Sequence, residues 1–516
     1  MHAALLIDEI LQVILGQCSD WPDQEYRRVL CQIAKCCRAW KDPALDRLWN
    51  RLDNIEPLLR LLPMQLLRRN ASLNYNVHVD NLANFRTYAS RVRHVTHRGA
   101  LPVSPLLQSI ILMPKLSHVV LRGEGCEVAP CFKTSRALRH LNITLNHYNK
   151  ERPHSMLLRS DAVATYLDSL NAWDVDLQTL RLRGRLSAQL SMTLASLTTL
   201  RTLLLYAGDS LTAQMLLAIA NFPRLRRLDV QATHINPSTF FETLSPSAPP
   251  LFPTLQNLKI SCQPDFLAAL LQTLPVGVLQ KVQIDTAYSP ISFHPSFERL
   301  SLIGSHSLEE LCVEAFIPSD DVEYSGAVHS DRALTISALR PLAGLKALRR
   351  FSIHGTAPPD FCDGDIEQIA AWWPRLSLLN LGLIEDFHAD AFSRLTPAVF
   401  FVLAKLCREL KSLTLPVDIL DSALPLPPPG AHLAISLCSL RSLSIGTAPL
   451  SLDCISVFVR HVVAAFPGVE NVDSTSWGGY WLEHAEECID LRPGAVGPLS
   501  DRIVVGDRRY RFVTHS

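Results

Sequence analysis

The six residues from Leu177 to Leu182, Leu-Gln-Thr-Leu-Arg-Leu, carry the pattern that organises most of this chain. They have the form L-x-x-L-x-L, whose alternating apolar and polar positions predict a short β-strand with one buried side. The form returns from about residue 90 onward. Its copies begin at Val92, Leu116, Leu138, Leu177, Leu200, Leu225, Leu255, Leu279, Leu308, Leu348, Leu376, Leu410, Leu440 and Val469. Neighbouring copies lie about 22 to 40 residues apart, which indicates an internal repeat.

Helical segments separate the predicted strands. They are Ala162–Trp173, Thr212–Phe222, Pro264–Leu274, Asp365–Trp373 and Cys454–Phe466. Asp365 with Gln368 predicts a capping box. One strand–helix unit cannot bury its own apolar face, so neighbouring units must stack. The spacing is that of leucine-rich repeats, and the predicted fold is α/β: a small N-terminal helical bundle followed by a curved, irregular leucine-rich-repeat solenoid. The repeats lack the Asn that many regular leucine-rich repeats carry at one fixed position, so they are irregular. A doubly wound sheet is not favoured, because the sequence has no Gly-rich first turn.

The charge balance excludes two classes of partner. The chain has 49 Lys plus Arg and 49 Asp plus Glu, so its formal net charge is zero. Coats for nucleic acid and polybasic membrane binders need many uncompensated cations, so neither nucleic acid nor membrane is an expected partner. No apolar run is long enough to span a bilayer, and the N-terminus lacks the basic start of a signal peptide. The 13 cysteines are scattered without a C-x-x-C pair, which favours an intracellular location, in cytoplasm, nucleus or both.

The first 65 residues predict a small helical bundle. Apolar residues recur at helical spacing in three sets, namely Leu6, Ile10 and Ile14; Leu30, Ile33, Cys37 and Trp40; and Leu45, Leu48 and Leu52. Pro43 is predicted to begin the third helix, since its fixed φ and missing N–H suit a first helical position. So small a bundle buries little area, and it is expected to lean on a partner or on the next domain.

This segment resembles an F-box. The resemblance rests on three stretches: Leu6-Ile7-Asp8-Glu9-Ile10-Leu11, Ile33-Ala34-Lys35-Cys36-Cys37-Arg38-Ala39-Trp40, and Leu48-Trp49. It covers roughly residues 4–62, about a tenth of the chain, and the part after Cys36 is especially similar to F-box proteins of mushroom-forming fungi. One residue departs from the family pattern, because Ile7 stands where the family has a proline.

The resemblance implies partners and a function. An F-box binds a Skp-type adaptor and, through it, a cullin–RING ligase, so the chain would be the substrate-recognition subunit of an SCF-type E3 ubiquitin ligase. The repeats would then bind the target, an unknown protein substrate. The implied adaptor-binding residues are Leu6, Ile7, Ile10, Ile14, Ile33, Cys36 and Trp40; each could instead belong to the core of the bundle. The alternative function is a non-ligase leucine-rich-repeat scaffold with a vestigial F-box, which Ile7 favours.

The expected domains follow these patterns: 1–65, F-box bundle; 66–90, linker helix leading into the solenoid; 91–475, solenoid; 476–516, C-terminal cap with a hairpin. Trp477, Tyr480 and Trp481 predict the cap, because a solenoid end exposes its core; a ligand pocket is the lesser option. Ile503-Val504-Val505, the turn Gly506-Asp507, and Tyr510 with Phe512 predict the hairpin. Protruding loops are expected at 146–160, 317–335 and 424–430.

No motif predicts an enzymatic activity. The sequence contains no G-x-S-x-G, G-x-x-x-x-G-K-[ST] or H-E-x-x-H motif. The acidic cluster of Asp360, Asp363, Asp365 and Glu367 is better explained by helix capping than by calcium. His94-x-x-His97 could contact a metal, although a solvated pair is favoured. We therefore expect no catalytic residue, no cofactor and no metal.

The x positions of each repeat point away from the core and predict a concave binding face. In the first strong repeats these positions hold Arg122, Arg139, His140, Arg181, Arg183, Arg201, Arg226 and Arg227. Glu309, Glu310 and Glu314 follow as an acidic island, and then Arg349, Arg350, Lys411 and Arg441. Arginine binds carboxylate or phosphate bidentately, so the pattern predicts that acidic or phosphorylated substrates bind near the N-terminal part of the face. The alternative is that arginine only covers leucine and keeps short strands soluble.

Overall fold

The computed structural model describes residues 7–17, 21–62, 82–98, 113–123, 135–145, 153–242, 250–286, 290–315, 334–354, 359–382, 394–417, 438–446, 461–462, 464–474, 502–505 and 508–513. The chain divides into a first unit, Met1–Gln231, and a second unit, Ala232–Ser516. In both units parallel strands of the predicted repeats alternate with helices, so the chain is an α/β leucine-rich-repeat protein, as the sequence predicts. The expected domain boundaries stay a prediction.

The first unit begins with the helical bundle. Its helices are α1, Asp8–Gln17; α2, Asp23–Cys36; α3, Arg38–Asn50; and α4, Glu56–Leu59. Leu15, Leu30 and Ala44 form the core between α1, α2 and α3. Pro43 lies inside α3, not at its start as predicted. Cys37, whose backbone is extended, is the single residue between α2 and α3. Helix α3 therefore starts directly after Cys37, with no loop between the two helices.

The bundle continues directly into the repeats of the first unit. Strand β1, Arg51–Leu52, follows α3 and pairs in parallel with β2, His94–Arg98, after helix α5, Ala83–Ala89. Arg91, just ahead of β2, donates to Asp42 at 2.6 Å and to Asp46 in α3. This partly buried arginine holds the third helix of the bundle against the first repeat.

The remaining elements of the first unit are strands and helices in alternation. They are β3, His118–Gly123; β4, His140–Leu145; α6, Pro153–Ala172; β5, Thr179–Arg183; α7, Ala188–Ser196; β6, Thr202–Tyr206; α8, Ala213–Ala220; and β7, Arg227–Gln231. Strands β2 to β7 pair in parallel, each with the next. The predicted loop 146–160 is helical from Pro153, because proline suits the first position of a helix.

The leucines of the repeats build the core that the pattern predicts. In β5, Leu180 and Leu182 are fully buried, whereas Arg181 and Arg183 between and after them are exposed. The register places Leu203 and Leu205 of β6 beside them. Equivalent side chains thus form continuous rows across the strands, one side buried against the helices and the other open to solvent.

The second unit repeats the arrangement. Its strands are β8, Asn257–Ser261; β9, Lys281–Thr286; β10, Glu310–Ala315; β11, Arg350–His354; β12, Leu378–Asn380; β13, Ser412–Pro416; β14, Ser442–Gly446; β15, Asn471–Ser474; β16, Arg502–Val505; and β17, Arg508–Val513. Its helices are α9, Pro237–Glu242; α10, Pro264–Gln272; α11, His294–Gly304; α12, Ile336–Leu339; α13, Asp363–Trp372; and α14, Val399–Leu406. Strands β8 to β15 pair in parallel in chain order.

Three details of the second unit test the sequence predictions. The predicted hairpin is confirmed, because β16 and β17 pair antiparallel. A capping box is present, but Asp365 is its third helical residue, not its cap: the cap is Cys362, whose N–H donates to the Asp365 carboxylate at 2.9 Å. The predicted loops 317–335 and 424–430 fall largely or wholly outside the described residues, as do Trp477, Tyr480 and Trp481.

Candidate functional site

Helix α1 and Ile7, the residue just before it, present an exposed apolar surface. Ile7, Ile10, Val13 and Ile14 are 46%, 37%, 63% and 37% exposed. Leu11 and Leu15, on the opposite side of the same helix, are 1% and 3% exposed. We call the four exposed side chains the α1 stripe. The core of the bundle is therefore satisfied without the stripe, and three of its members are residues that the F-box resemblance assigns to adaptor binding.

Polar contacts fix α1 in place beneath this stripe. From α3, Arg47 donates through Nε to Oε1 of Gln12 and through Nη2 to the Gln12 carbonyl, both at 2.8 Å. The Tyr26 hydroxyl of α2 donates to the Leu15 carbonyl at 3.2 Å. The Ile7 carbonyl accepts the first helical hydrogen bond, from Leu11 at 3.0 Å. The helix thus begins without the family's proline, and Ile7 adds apolar surface in its place.

The other predicted adaptor-binding residues divide between core and surface. Ile33 is partly buried and packs against the bundle core. Cys36 is exposed at the end of α2, where its thiol lies 3.3 Å from the Gln32 carbonyl. Trp40 is half-buried in the first turn of α3. Trp21, which the sequence reasoning did not select, is 43% exposed just before α2. Leu6 lies outside the described residues.

The open side of strands β2 to β7 is the second candidate surface, which we call the strand face. Arg122, His140, Arg181, Arg183 and Arg227 lie on its strands at solvent-facing positions. Arg139, Arg201 and Arg226 lie one residue before a strand. The carbonyls of Arg139 and Arg201 accept from the next repeat; that of Arg201 accepts from Arg226 and Arg227 at 2.8 and 3.0 Å. These three side chains therefore line the edge of the face where the strands begin.

All the strand-face arginines named above except Arg139 lack an ion-pair partner among the described residues. Among the described residues, no ion pair is formed by Arg122, Arg181, Arg183, Arg201, Arg226 or Arg227. The two nearby carboxylates are already engaged. Asp176 accepts from Gln178 at 2.9 Å and lies 3.7 Å from Arg139. Asp229 is 4% exposed and accepts from the Tyr206 hydroxyl at 2.6 Å.

In the second unit, several cations on or beside the strands pair with carboxylates. Lys259 pairs with Asp285 at 2.9 Å, and Glu310 lies between Lys281 at 3.0 Å and Arg350 at 3.6 Å. Farther along, Arg349 pairs with Glu409 and Arg441 with Glu470. The acidic island predicted from Glu309, Glu310 and Glu314 therefore includes an internal counter-charge. These cations of the second unit are thus paired, unlike the six arginines of the strand face.

Three histidines form a stack on the strand face, which the sequence reasoning missed as a group. The rings of His94, His118 and His140 lie in register on β2, β3 and β4. Their centroids are 4.1 and 4.0 Å apart with interplanar angles of 23° and 14°. We call them the histidine column. Its sequence signal is a histidine at the same place in three consecutive repeats, visible only once the repeats are aligned on their leucines.

The column is held in its neutral form. Burial and the neighbouring imidazoles His94 and His140 lower the pKa of His118 to about 4. Burial, and then the Arg51 charge, lowers the pKa of His94; burial and the Arg139 charge do the same for His140. The Ser117 hydroxyl lies 2.9 Å from Nδ1 of His118. Parallel uncharged rings can therefore pack face to face, which three imidazolium ions could not.

The described ranges contain neither a metal-binding cluster nor a membrane-spanning helix. No group of three or more His, Cys, Asp or Glu side chains in them could hold a metal ion. The His97 side chain of the predicted His94–His97 pair lies outside those ranges. None of the described helices combines the length and apolar content needed to cross a membrane.

No protein-family model matches this chain, and no curated protein matches its sequence. Among solved structures, it is similar to the crystal structure of the Rad7 and Elc1 complex in yeast, with 14% identity, a TM-score of 0.36, and coverage of 82% of this chain and 91% of that one. It is also similar to the leucine-rich-repeat-containing protein LegL7 from Legionella pneumophila, with 13% identity, a TM-score of 0.27, and coverage of 60% and 86%. The two candidate surfaces are therefore defined by this chain's own geometry.

Proposed function

We propose that the chain is the substrate-recognition subunit of an SCF-type E3 ubiquitin ligase. The α1 stripe binds a Skp-type adaptor, and the repeats bind a target protein in the cytoplasm or nucleus. The chain carries no catalytic residue in this role. It holds an acceptor lysine of the target near the ubiquitin-loaded conjugating enzyme, which raises the effective concentration of the reactants.

The observation that carries the proposal is the α1 stripe. Three apolar side chains on α1 and that of Ile7 just before it remain 37% to 63% exposed, while Leu15, Leu30 and Ala44 form the buried core of the bundle. Contiguous exposed apolar surface is typical of a protein interface. A stable interface buries about 800 Å² on each partner, more than one short helix provides. The adaptor must therefore also cover parts of α2 and α3, where Trp21, Cys36 and Trp40 are available.

The test is adaptor binding by a charged variant. We expect Ile10→Asp with Ile14→Asp to abolish capture of a Skp-type adaptor, because an unpaired carboxylate in an apolar interface costs several kcal/mol. Both residues are exposed, so the variant should fold, as circular dichroism and thermal melting would show. Met192→Asp is the matched control: Met192 is 70% exposed on a helix of the repeats, and its substitution should leave adaptor capture unchanged.

Two results would contradict the proposal. The first is undiminished adaptor capture by the folded double variant. The second is an unmodified chain that captures no adaptor, which would favour the leucine-rich-repeat scaffold with a vestigial F-box. The residue that favours the scaffold, Ile7, is itself exposed at the start of the stripe. Ile7→Pro should strengthen adaptor binding if the missing proline matters.

A further inference from the structure

We propose that the strand face of the first unit binds a segment rich in glutamate or aspartate in a partner protein, and that the histidine column makes this binding tighter as pH falls. That the partner is a ubiquitination substrate rests on the proposed function. Binding of the segment itself does not, because it depends only on the charges and side chains of β2 to β7.

Charge complementarity is the first argument. The six arginines without an ion pair lie on or beside strands β3, β5, β6 and β7 of one open surface. In the second unit, carboxylates lie beside such cations and pair with them. In the first unit, the nearby carboxylates Asp176 and Asp229 already accept hydrogen bonds from Gln178 and Tyr206. A surface of unpaired, exposed guanidinium groups is complementary to an anionic partner.

The distances between the arginines favour an acidic segment over a single phosphate group. Arg122 lies two strands from Arg183 in the same row, about 10 Å at the usual strand spacing. Arg181 and Arg183 are two residues apart on β5, and Arg227 lies a further two strands away. A single phosphate needs several donors converging on one point. Cations on or beside four strands, from β3 to β7, instead match a run of carboxylates along an extended or helical segment.

Local contacts keep Arg181 available. Its guanidinium lies over the Tyr206 ring, 5.8 Å from the centroid, and the Tyr206 hydroxyl is anchored by Asp229 at 2.6 Å. The ring thus orients the cation without neutralising it, because the buried Asp229 carboxylate is engaged by the hydroxyl. An arginine positioned in advance loses less side-chain freedom when it binds a carboxylate.

The histidine column adds the dependence on pH. The cations that act on its imidazoles are Arg51 beside β2, Arg93 just before β2 and Arg139 just before β4. Among the described residues, the carboxylates that form ion pairs with these cations are Asp53, which pairs with Arg51 and Arg27, and Asp176, which lies near Arg139. A bound carboxylate would therefore be the first uncommitted anion to reach the imidazoles. It stabilises their protonated form, so proton uptake and binding reinforce each other.

The experiment uses the full-length chain and a fluorescent glutamate-rich peptide, with a glutamine-for-glutamate peptide as the uncharged control. We expect the glutamate peptide alone to bind, with an affinity that falls as salt is added. Arg181→Gln with Arg183→Gln should weaken binding by on the order of tenfold. The matched control is Arg28→Gln with Arg299→Gln, two exposed arginines on helices outside the strand face, which should leave binding unchanged.

The pH arm isolates the column. Between about pH 7.5 and about pH 5.5 the glutamates stay charged, and the peptide should bind several-fold more tightly at the lower value. Replacing all three column histidines, His94, His118 and His140, with glutamine should flatten this dependence, whereas His306→Gln, at an exposed histidine of the second unit, should not. An unchanged pH dependence in the triple variant would overturn the role of the column.

Other occupants are separated by the same assay. Unchanged peptide binding by the Arg181/Arg183 variant at low salt would overturn the docking surface. Tighter binding of a single-stranded oligonucleotide than of the peptide would assign the face to nucleic acid, and self-association blocked by the arginine substitutions would assign it to a second copy. The Ile10/Ile14 variant should still bind peptide. Failure of the adaptor proposal and failure of this one are therefore distinguishable.

Discussion

His118 stacks between two other imidazoles, and its environment links the fold to pH. Its pKa is about 4 in the folded chain, against about 6.5 in an unfolded one, so the unfolded state binds more protons below pH 6.5. The stability that the neutral column contributes is present above that pH and is lost as pH falls toward 4. Because the ring is partly exposed, we expect a loss of about 1 kcal/mol.

The measurement is the free energy of unfolding at about pH 7.5 and about pH 5 for the unmodified chain and for His118→Gln. The variant should lose less stability on acidification. His306→Gln serves as control and should keep the original difference. A pH difference as large in His118→Gln as in the unmodified chain would mean that other groups cause it.

At position 184, directly after β5, the structure requires glycine. Its φ is +150°, and a Cβ atom there would lie 2.7 Å from Cβ of Leu145. Gly184→Ala should therefore lower the free energy of unfolding by about 2 kcal/mol, from backbone strain and overpacking together. Gly364→Ala, where only the Cys362 sulfur lies nearby at 3.9 Å, should change it by less than about 1 kcal/mol. Equal effects in a chemical denaturation series would refute this reading.

At the scale of elements, the start of helix α13 joins two repeats of the second unit. The Asp363 carboxylate accepts from the Thr396 N–H at 2.8 Å and from its hydroxyl at 2.6 Å, across 33 residues of chain. Asp363→Ala should cost about 2 kcal/mol, since two partly buried donors lose a charged acceptor. Asp265→Ala, an exposed aspartate in the first turn of α10, loses only a favourable charge at a helix N-terminus and should cost under about 1 kcal/mol. Denaturant midpoints of the two variants check the difference.

For the whole molecule, burial of its cysteines gives a reporter of unfolding. Burial raises the pKa of the Cys262, Cys312 and Cys407 thiols to about 12, so their reactive thiolate is scarce near neutral pH. Cys31 and Cys36 are exposed. A maleimide should label Cys31 and Cys36 first, the partly exposed Cys312 more slowly, and the buried Cys262 and Cys407 only when the second unit unfolds. Peptide mapping by mass spectrometry gives the order; early labelling of Cys407 in the native chain would show that its repeat opens locally.

The sequence by itself determined the repeat architecture, because one buried side on a short strand imposes a leucine pattern wherever the strand occurs. Every strand from β2 to β15 lies where that pattern predicts. It also determined which arginines are open to solvent on β5, since alternation along a strand leaves no other choice. The bundle and its apolar sets followed from helical spacing in the same way. Helix starts did not follow in this way, because Pro43 and Asp365 are one-residue signals: α3 begins after the extended backbone of Cys37, and α13 is capped by Cys362.

Only the tertiary structure decided which apolar residues of the bundle are exposed and which pack in its core. Ile10 and Ile33 have the same sequence signature, yet one is exposed on α1 and the other packs on the core, because that choice depends on which helices touch. The histidine column likewise exists only through the register of β2, β3 and β4, which brings together rings 24 and 22 positions apart in the chain. The sequence also did not determine which cations are paired. These ion pairs join side chains of different repeats, and the residue spacing within one strand does not show which residues of the next strand lie beside it.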